Sequence, residues 1–246
     1  KIKHIYFKSP QSNKMIALGV IPARLRSTRF PKKILHKINS KPMVVHVYEN
    51  AQKSNKLDDL VIAIDSEETK EALKDWNVKT VMTSKNHICG TDRVYEASKA
   101  YNADIIINIQ ADEPGLDYNL LNSLVSEFEN NSIDIVTAAG RNMSNEKLKD
   151  ENIVKVLLDK NDYAVDFYRN TSDITKKFYH HMGIYAYAKN SLEKFVKLES
   201  TLREKELKLE QLRAIDNAMK IKVHLVDIAT IGIDTPEDLK NLNSQL

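Results

Sequence analysis

Three short runs, Ile16-Ala-Leu-Gly-Val-Ile21, Leu60-Val-Ile-Ala-Ile64 and Ile105-Ile-Ile-Asn-Ile109, are apolar at nearly every position instead of alternating. A strand with one wet face alternates, whereas a continuous apolar run belongs to a strand covered on both sides, the usual state in a parallel sheet. Helical spacing follows each run. Pro42 sits where a first turn tolerates it, ahead of Met43, Val47 and Ala51. Ser66 can cap a helix that buries Leu73 and Trp76, and Asp117 one that buries Leu120, Leu121, Leu124, Val125 and Phe128. Thr91 to Tyr101 reads as helix, and Val78 to Met82 as another short strand. Strand followed by helix, repeated to about Ala139, predicts an α/β protein with a doubly wound, mostly parallel sheet.

The second half differs. Val154–Asp159, Tyr163–Tyr168 and His180–Ala188 are strand-like but lie too close together for parallel crossovers, so an antiparallel patch or small subdomain is expected at about 155–205. Asn190 begins a helix through Phe195 and Val196, a charge-rich stretch follows, and Leu209, Leu212, Ile215 and Met219 mark one further helix. Ile221, Val223 and Leu225 alternate as a late strand. Thr235-Pro236-Glu237-Asp238 is a helix start.

Lys1 to Lys14 holds four lysines and no acid, so setting it aside takes the formal net charge from +3 to −1. Residues 1–14 read as a leader or added extension, and 15–246 as a single domain without the basic bias that nucleic-acid binding needs. Cys89 is the one cysteine, which excludes an internal disulfide and suits a reducing, cytoplasmic setting. No apolar run reaches the roughly 18 residues of a membrane span.

The first apolar run meets Pro22, which is expected to end the strand, and then a loop with Arg24, Arg26, Arg29, Lys32 and Lys33. Such a loop at the carboxyl edge of an α/β sheet suits polyphosphate, through charge-assisted hydrogen bonds of roughly 1.5–3 kcal/mol each. Asp112 follows the strongest strand and so reaches the same edge; Asp234 precedes the last helix start. Singly, each reads equally well as a turn or helix-terminal acid. Together with the basic loop they suggest a Mg²⁺ site, because Mg²⁺ takes one or two carboxylates plus phosphate oxygens and water. Zinc spacing, a Gly-x-Ser-x-Gly elbow, a P-loop and a Gly-x-Gly-x-x-Gly fingerprint are all missing from the sequence.

The segments Ile21-Pro-Ala-Arg-Leu-Arg-Ser-Thr-Arg-Phe-Pro-Lys-Lys33, Cys89-Gly-Thr-Asp-Arg93, Gln110-Ala-Asp-Glu-Pro114, His181-Met-Gly-Ile-Tyr-Ala-Tyr187, Leu209-Glu-Gln-Leu-Arg213 and Gly232-Ile-Asp-Thr-Pro-Glu-Asp-Leu239 share the order and spacing seen in one family. The chain from Met15 onward resembles the 3-deoxy-manno-octulosonate cytidylyltransferases. The resemblance implies a Rossmann-like fold of the nucleotide-diphospho-sugar transferase type. It also implies a reaction joining CTP to the acid sugar Kdo, with Mg²⁺, to give CMP-Kdo and pyrophosphate for lipopolysaccharide or capsule synthesis. An 8-amino analogue or a sialic-type acid is the alternative sugar, and a non-catalytic nucleotide-binding domain the distant alternative.

Carried over by position, Arg24, Arg29 and Lys33 would hold the triphosphate, Pro22, Ala23, Thr91 and Gln110 the rest of the nucleotide, and Asp112 and Asp234 the metal. Gln110, Arg169, His181, Tyr185, Glu210 and Gln211 would contact the sugar, with Arg169 facing its carboxylate. A homodimer is implied, with the aromatic patch from Tyr163 to Phe195 as the expected interface. Departures from the family pattern are Lys32 where glycine is usual, Cys89 where serine is common, and the absence of a proline after Arg169. Glycine alone reaches φ > 0 without cost, so Lys32 is expected to change the turn.

Overall fold

The computed structural model describes residues 14–26, 30–129, 132–171, 175–227, 229, 232–233, 235 and 237–239. All of the expected leader except Lys14 lies outside these residues, as do Arg29 and Asp234.

The chain begins with β1 (Ala17–Ala23). A small antiparallel pair, β2 (Lys37–Ile38) and β3 (Lys41–Pro42), leads into α1 (Met43–Ala51). Then come β4 (Asp59–Ile64), α2 (Glu67–Leu73), β5 (Thr80–Met82), α3 (Gly90–Ser98), β6 (Ile105–Asn108) and α4 (Tyr118–Ser126). The second half runs β7 (Ile135–Gly140), α5 (Asn145–Lys149), β8 (Lys155–Leu158), β9 (Ala164–Tyr168), β10 (Phe178–Ala188), α6 (Lys189–Lys197), α7 (Leu202–Leu207), α8 (Leu212–Asp216) and β11 (Ile221–Val226).

The main sheet has the order β11-β7-β10-β6-β1-β4-β5. The pairs β1–β4, β1–β6, β4–β5 and β7–β11 are parallel, and the continuous apolar runs of β1, β4 and β6 lie side by side in this part of the sheet, while β10 is antiparallel to both β6 and β7. Successive residues of each run enter opposite cores. Ala17, Ile21, Leu60 and Ile62 pack under α1 and α4, while Leu18, Val20, Val61 and Ala63 pack under α3, α6 and α8. The caps sit where the sequence puts them: Ser66 accepts from Thr69 N at 3.1 Å, and Asp117 from Asn119 N at 2.9 Å.

The expected antiparallel patch is present as β8, β9 and β10, and β10 continues into the main sheet between β6 and β7. Two expectations change. Pro22 does not end β1. Pairing with β6 stops at Val20–Asn108 while pairing with β4 continues to Ala23–Ile64, so the proline lies past the last β6 pair. The helix expected over Leu209–Met219 shrinks to α8, and α7 forms in the charge-rich stretch before it. Thr201 and Glu204 make a reciprocal capping box there, and Lys208 closes α7 in the left-handed region (φ 52°, ψ 47°). Between Tyr163 and Phe195, Tyr187 and Phe195 belong to the core and Val165 is half exposed.

After β11 the chain crosses the end of β7. A Cβ on Gly140 would meet Ala229 N at 2.8 Å, so the crossing needs glycine. Beyond it, Gly232 and Ile233 reach the carboxyl edge of β6, where Ile233 N donates to the Asp112 carbonyl at 2.9 Å.

Candidate active site

β1, β4 and β6 are parallel neighbours and end on one edge, so their following loops converge. The loop after β1 is fixed from two sides. Leu25 N donates to Asp65 Oδ1 at 2.9 Å, at the end of β4, and Asp65 Oδ2 accepts from Arg93 of α3 at 3.2 Å. Arg93 is buried and also donates to Thr83 Oγ1 at 2.6 Å. Burial pushes the Arg93 pKa down, and Asp65 opposes that. Further along, Phe30 packs with Ile38, Met43 and Ile233, tying the loop to the late segment that reaches Asp112. Lys32 holds the left-handed region at φ 53°, so the turn a glycine would make is kept, and its ammonium pairs with Glu68.

Lys33 Nζ donates to Asp112 Oδ2 at 2.5 Å, both side chains mostly buried. A Cβ on Gly232 would lie 3.6 Å from the Asp112 carbonyl oxygen and 3.7 Å from its Cγ. Arg24 is exposed just past β1, and Gly90, the first residue of α3, lies against Pro22. Three stretches far apart in sequence, the basic loop, the turn after β6 and residues 232–233, thus meet at Asp112. Among the described residues no three His, Cys, Asp or Glu side chains cluster to hold a metal. A Mg²⁺ ion sharing phosphate oxygens needs only one or two carboxylates, so Asp112 fits as a hard oxygen donor.

Next to this edge lies a second polar group. Asn108, on β6, faces Tyr185 of β10 directly across the sheet. Thr91, in the first turn of α3, donates to Glu210 Oε2 at 2.8 Å and accepts from Asn108 Nδ2 at 3.5 Å. Gln110 Nε2 donates to the Gly183 carbonyl at 2.8 Å, at the β10 irregularity between Met182 and Tyr185. The His181 and Tyr185 rings lie 5.5 Å apart, and His181 Nε2 shares a 3.1 Å contact with Thr137 Oγ1. Burial, then the neighbouring His180, pushes the His181 pKa down to about 3, so it is neutral at pH 7. Burial, with Glu210 nearby, pushes the Tyr185 hydroxyl up.

Glu210 is held in an under-compensated state. Burial raises its carboxyl pKa, opposed by hydrogen bonds from Cys89 and Thr91 and by the charge of Arg213. Arg213 is itself committed to Glu204, at 2.5 and 2.9 Å, and stays 3.8 Å from Glu210 Oε1. Glu210 Oε1 and Asn108 Oδ1 are buried without a hydrogen-bond partner. Buried acceptors left open in this way suit a ligand rich in hydroxyl or amine donors.

Two further residues expected at the sugar, Arg169 and Gln211, have the following surroundings. Arg169 does not present an open fork: Nε donates to Leu207 O at 2.7 Å, Nη1 to Glu151 O at 3.1 Å and Nη2 to Lys208 O at 3.1 Å. Gln211 is buried at the start of α8, where its carbonyl accepts from Ala214 N and Ile215 N. Asn108 and Asp65 escape a motif reading of the site, and Arg93 ends the Cys89–Arg93 motif without a role assigned to it there. Asn108 still carries a signal, as the single polar residue inside the run Ile105–Ile109.

The cytidylyltransferase family pattern matches residues 18–221. A 3-deoxy-manno-octulosonate cytidylyltransferase of Nitratiruptor sp. is 42% identical over 236 residues, covering 92% of this chain and 98% of the relative. That of Chloroherpeton thalassium is 37% identical over 241 residues, covering 94% and 98%. A solved CMP:2-keto-3-deoxy-manno-octonic acid synthetase complexed with CTP superposes with a TM-score of 0.88 at 30% identity, covering 94% of this chain and 98% of that one. A 4-diphosphocytidyl-2C-methyl-D-erythritol synthase from Anaerococcus prevotii shares the fold alone, with a TM-score of 0.64 at 14% identity and coverage of 95% and 99%. Matched over nearly its whole length, the chain belongs to the 3-deoxy-manno-octulosonate cytidylyltransferase family and is a nucleotidyltransferase.

Proposed function

We propose that this protein joins CTP to Kdo, the eight-carbon 3-deoxy acid sugar, releasing pyrophosphate and forming CMP-Kdo in a Mg²⁺-dependent reaction. The product is an activated sugar of the kind consumed in lipopolysaccharide or capsule assembly. The observation that carries this reading is the 2.8 Å contact between Thr91 and Glu210, which links the first turn of α3, beside Pro22, to the polar side chains around Tyr185.

In this scheme the anomeric hydroxyl of the sugar attacks the α-phosphorus in line, its proton leaves to solvent, and the bond to the β-phosphate oxygen breaks. Arg24 and Lys33 neutralise the triphosphate, so much of the rate comes from fixed charge and positioning. Asp112, and Asp234 by resemblance, would hold Mg²⁺, which supplies charge neutralisation on the phosphates when bound. Lys33 then moves from the Asp112 carboxylate to a phosphate oxygen. His181, neutral, exchanges hydrogen bonds with sugar hydroxyls. Glu210 Oε1 and Asn108 Oδ1 accept from donors on the sugar side.

A pyrophosphate-release assay across nucleotides and acid sugars tests the proposal. Release is expected only with CTP, Kdo and Mg²⁺ together. Release from CTP without any sugar would overturn the mechanism. A higher kcat/KM for the 8-amino analogue or a sialic acid than for Kdo would replace the sugar and keep the chemistry.

A further inference from the structure

Lys155 has no part in the scheme above, yet it is fully buried on β8. Its ammonium donates to two main-chain carbonyls, Asp150 O at 2.5 Å and Arg169 O at 2.7 Å. Burying a cation is costly unless its donors are used, so an apolar side chain would be the cheaper filler here. What the lysine does that an apolar residue cannot is bind carbonyls from two loops at once.

The second of those loops continues the chain of contacts. Arg169, whose carbonyl Lys155 holds, sends its guanidinium to Leu207 O, Lys208 O and Glu151 O at 2.7, 3.1 and 3.1 Å. Lys208 is a non-glycine residue in the left-handed region, a strained conformation that the surroundings must hold. The next residues are Leu209, buried in the core under α8, and then Glu210 and Gln211. Two cations therefore clamp residues 150–151, 169 and 207–208 through main-chain carbonyls alone. The turn they fix is the one that carries Glu210 to Thr91.

We infer that Lys155 is a positioning residue for the sugar half of the site, acting through Arg169 and the left-handed turn at Lys208 to fix where Glu210 stands. It touches no substrate. The inference rests on the assignment of Glu210 to the sugar. Its consequence is a split in the kinetics, because the nucleotide edge at Lys33 and Asp112 is built from other elements.

The test replaces Lys155 by methionine, of similar length and without donors, and measures both KM values and kcat by pyrophosphate release. KM for Kdo is expected to rise roughly ten- to a hundred-fold, the scale of a misplaced contact. KM for CTP and kcat at saturation should stay within about three-fold of the parent. A double-mutant cycle with Glu210→Gln gives the sharper readout: if Lys155 acts through Glu210, the two effects on the sugar KM combine to much less than their product. Arg169→Lys, able to reach fewer of the three carbonyls, repeats the cycle should Lys155→Met not fold. Multiplicative effects in the cycle, or equal rises in both KM values, would overturn the inference. A parent enzyme that turns over CTP with a different sugar would instead refute the substrate assignment, and the same cycle run with that sugar would decide on Lys155.

Discussion

Lys33 and Asp112, 79 residues apart in the chain, meet at 2.5 Å between Nζ and Oδ2. One is a candidate phosphate cation and the other a candidate metal ligand, and here each neutralises the other. Asp112→Asn keeps the shape and removes the charge, so Mg²⁺-dependent pyrophosphate release should fall by roughly a thousand-fold or more. Lys33→Met should lose on the order of a hundred-fold in kcat/KM for CTP while leaving the Mg²⁺ requirement in place. Steady-state kinetics over a Mg²⁺ titration checks both.

The buried Arg93–Asp65 pair supports the same edge from below. Asp65→Asn leaves a cation of 3% exposure without its counter-charge, a loss of about 3–5 kcal/mol. It also weakens the Leu25 N contact that anchors the basic loop. Urea denaturation should show the lower midpoint, and the surviving folded enzyme should show a raised KM for CTP.

His181 makes stability depend on acidity. Its pKa is about 3 when folded, against an ordinary 6.5. The unfolded chain therefore binds a proton that the folded chain refuses as pH drops below about 6.5. The stability from this group is full above that value and is lost as pH falls toward about 3, at up to roughly 1.4 kcal/mol per pH unit. Stability measured from pH 7 to 4 should fall less steeply in His181→Gln than in the parent. Turnover near neutral pH should not follow the titration of His181.

Lys32 in the left-handed region tests how the loop tolerates a side chain. Lys32→Ile places a β-branched residue at φ 53° and should cost about 1–2 kcal/mol. Lys32→Gly removes the strain, adds freedom to the unfolded chain and gives up only an exposed ion pair, so its net change should stay within about 1 kcal/mol. Thermal unfolding of the two variants gives the comparison.

The continuous apolar runs at Ile16, Leu60 and Ile105 determined by themselves that these three strands run parallel and are covered on both faces, and hence that Asp112 lies on the same edge as the basic loop. Burial on two sides is a local property of a strand and leaves its mark at every position. The caps at Ser66 and Asp117 were legible for the same reason, since their partners are two or three residues away. The path of β10 into the main sheet was not, because the alternation of His180–Ala188 is the same in a separate hairpin and in a central strand. The destination of Arg169 was not legible either. Its partners are carbonyls up to 39 residues distant, and a guanidinium takes whichever acceptors the fold delivers. Only tertiary structure decided that Lys155 would be buried and that Glu210 would be left one donor short, because hydrogen-bond satisfaction is a property of the assembled neighbourhood and not of the residue.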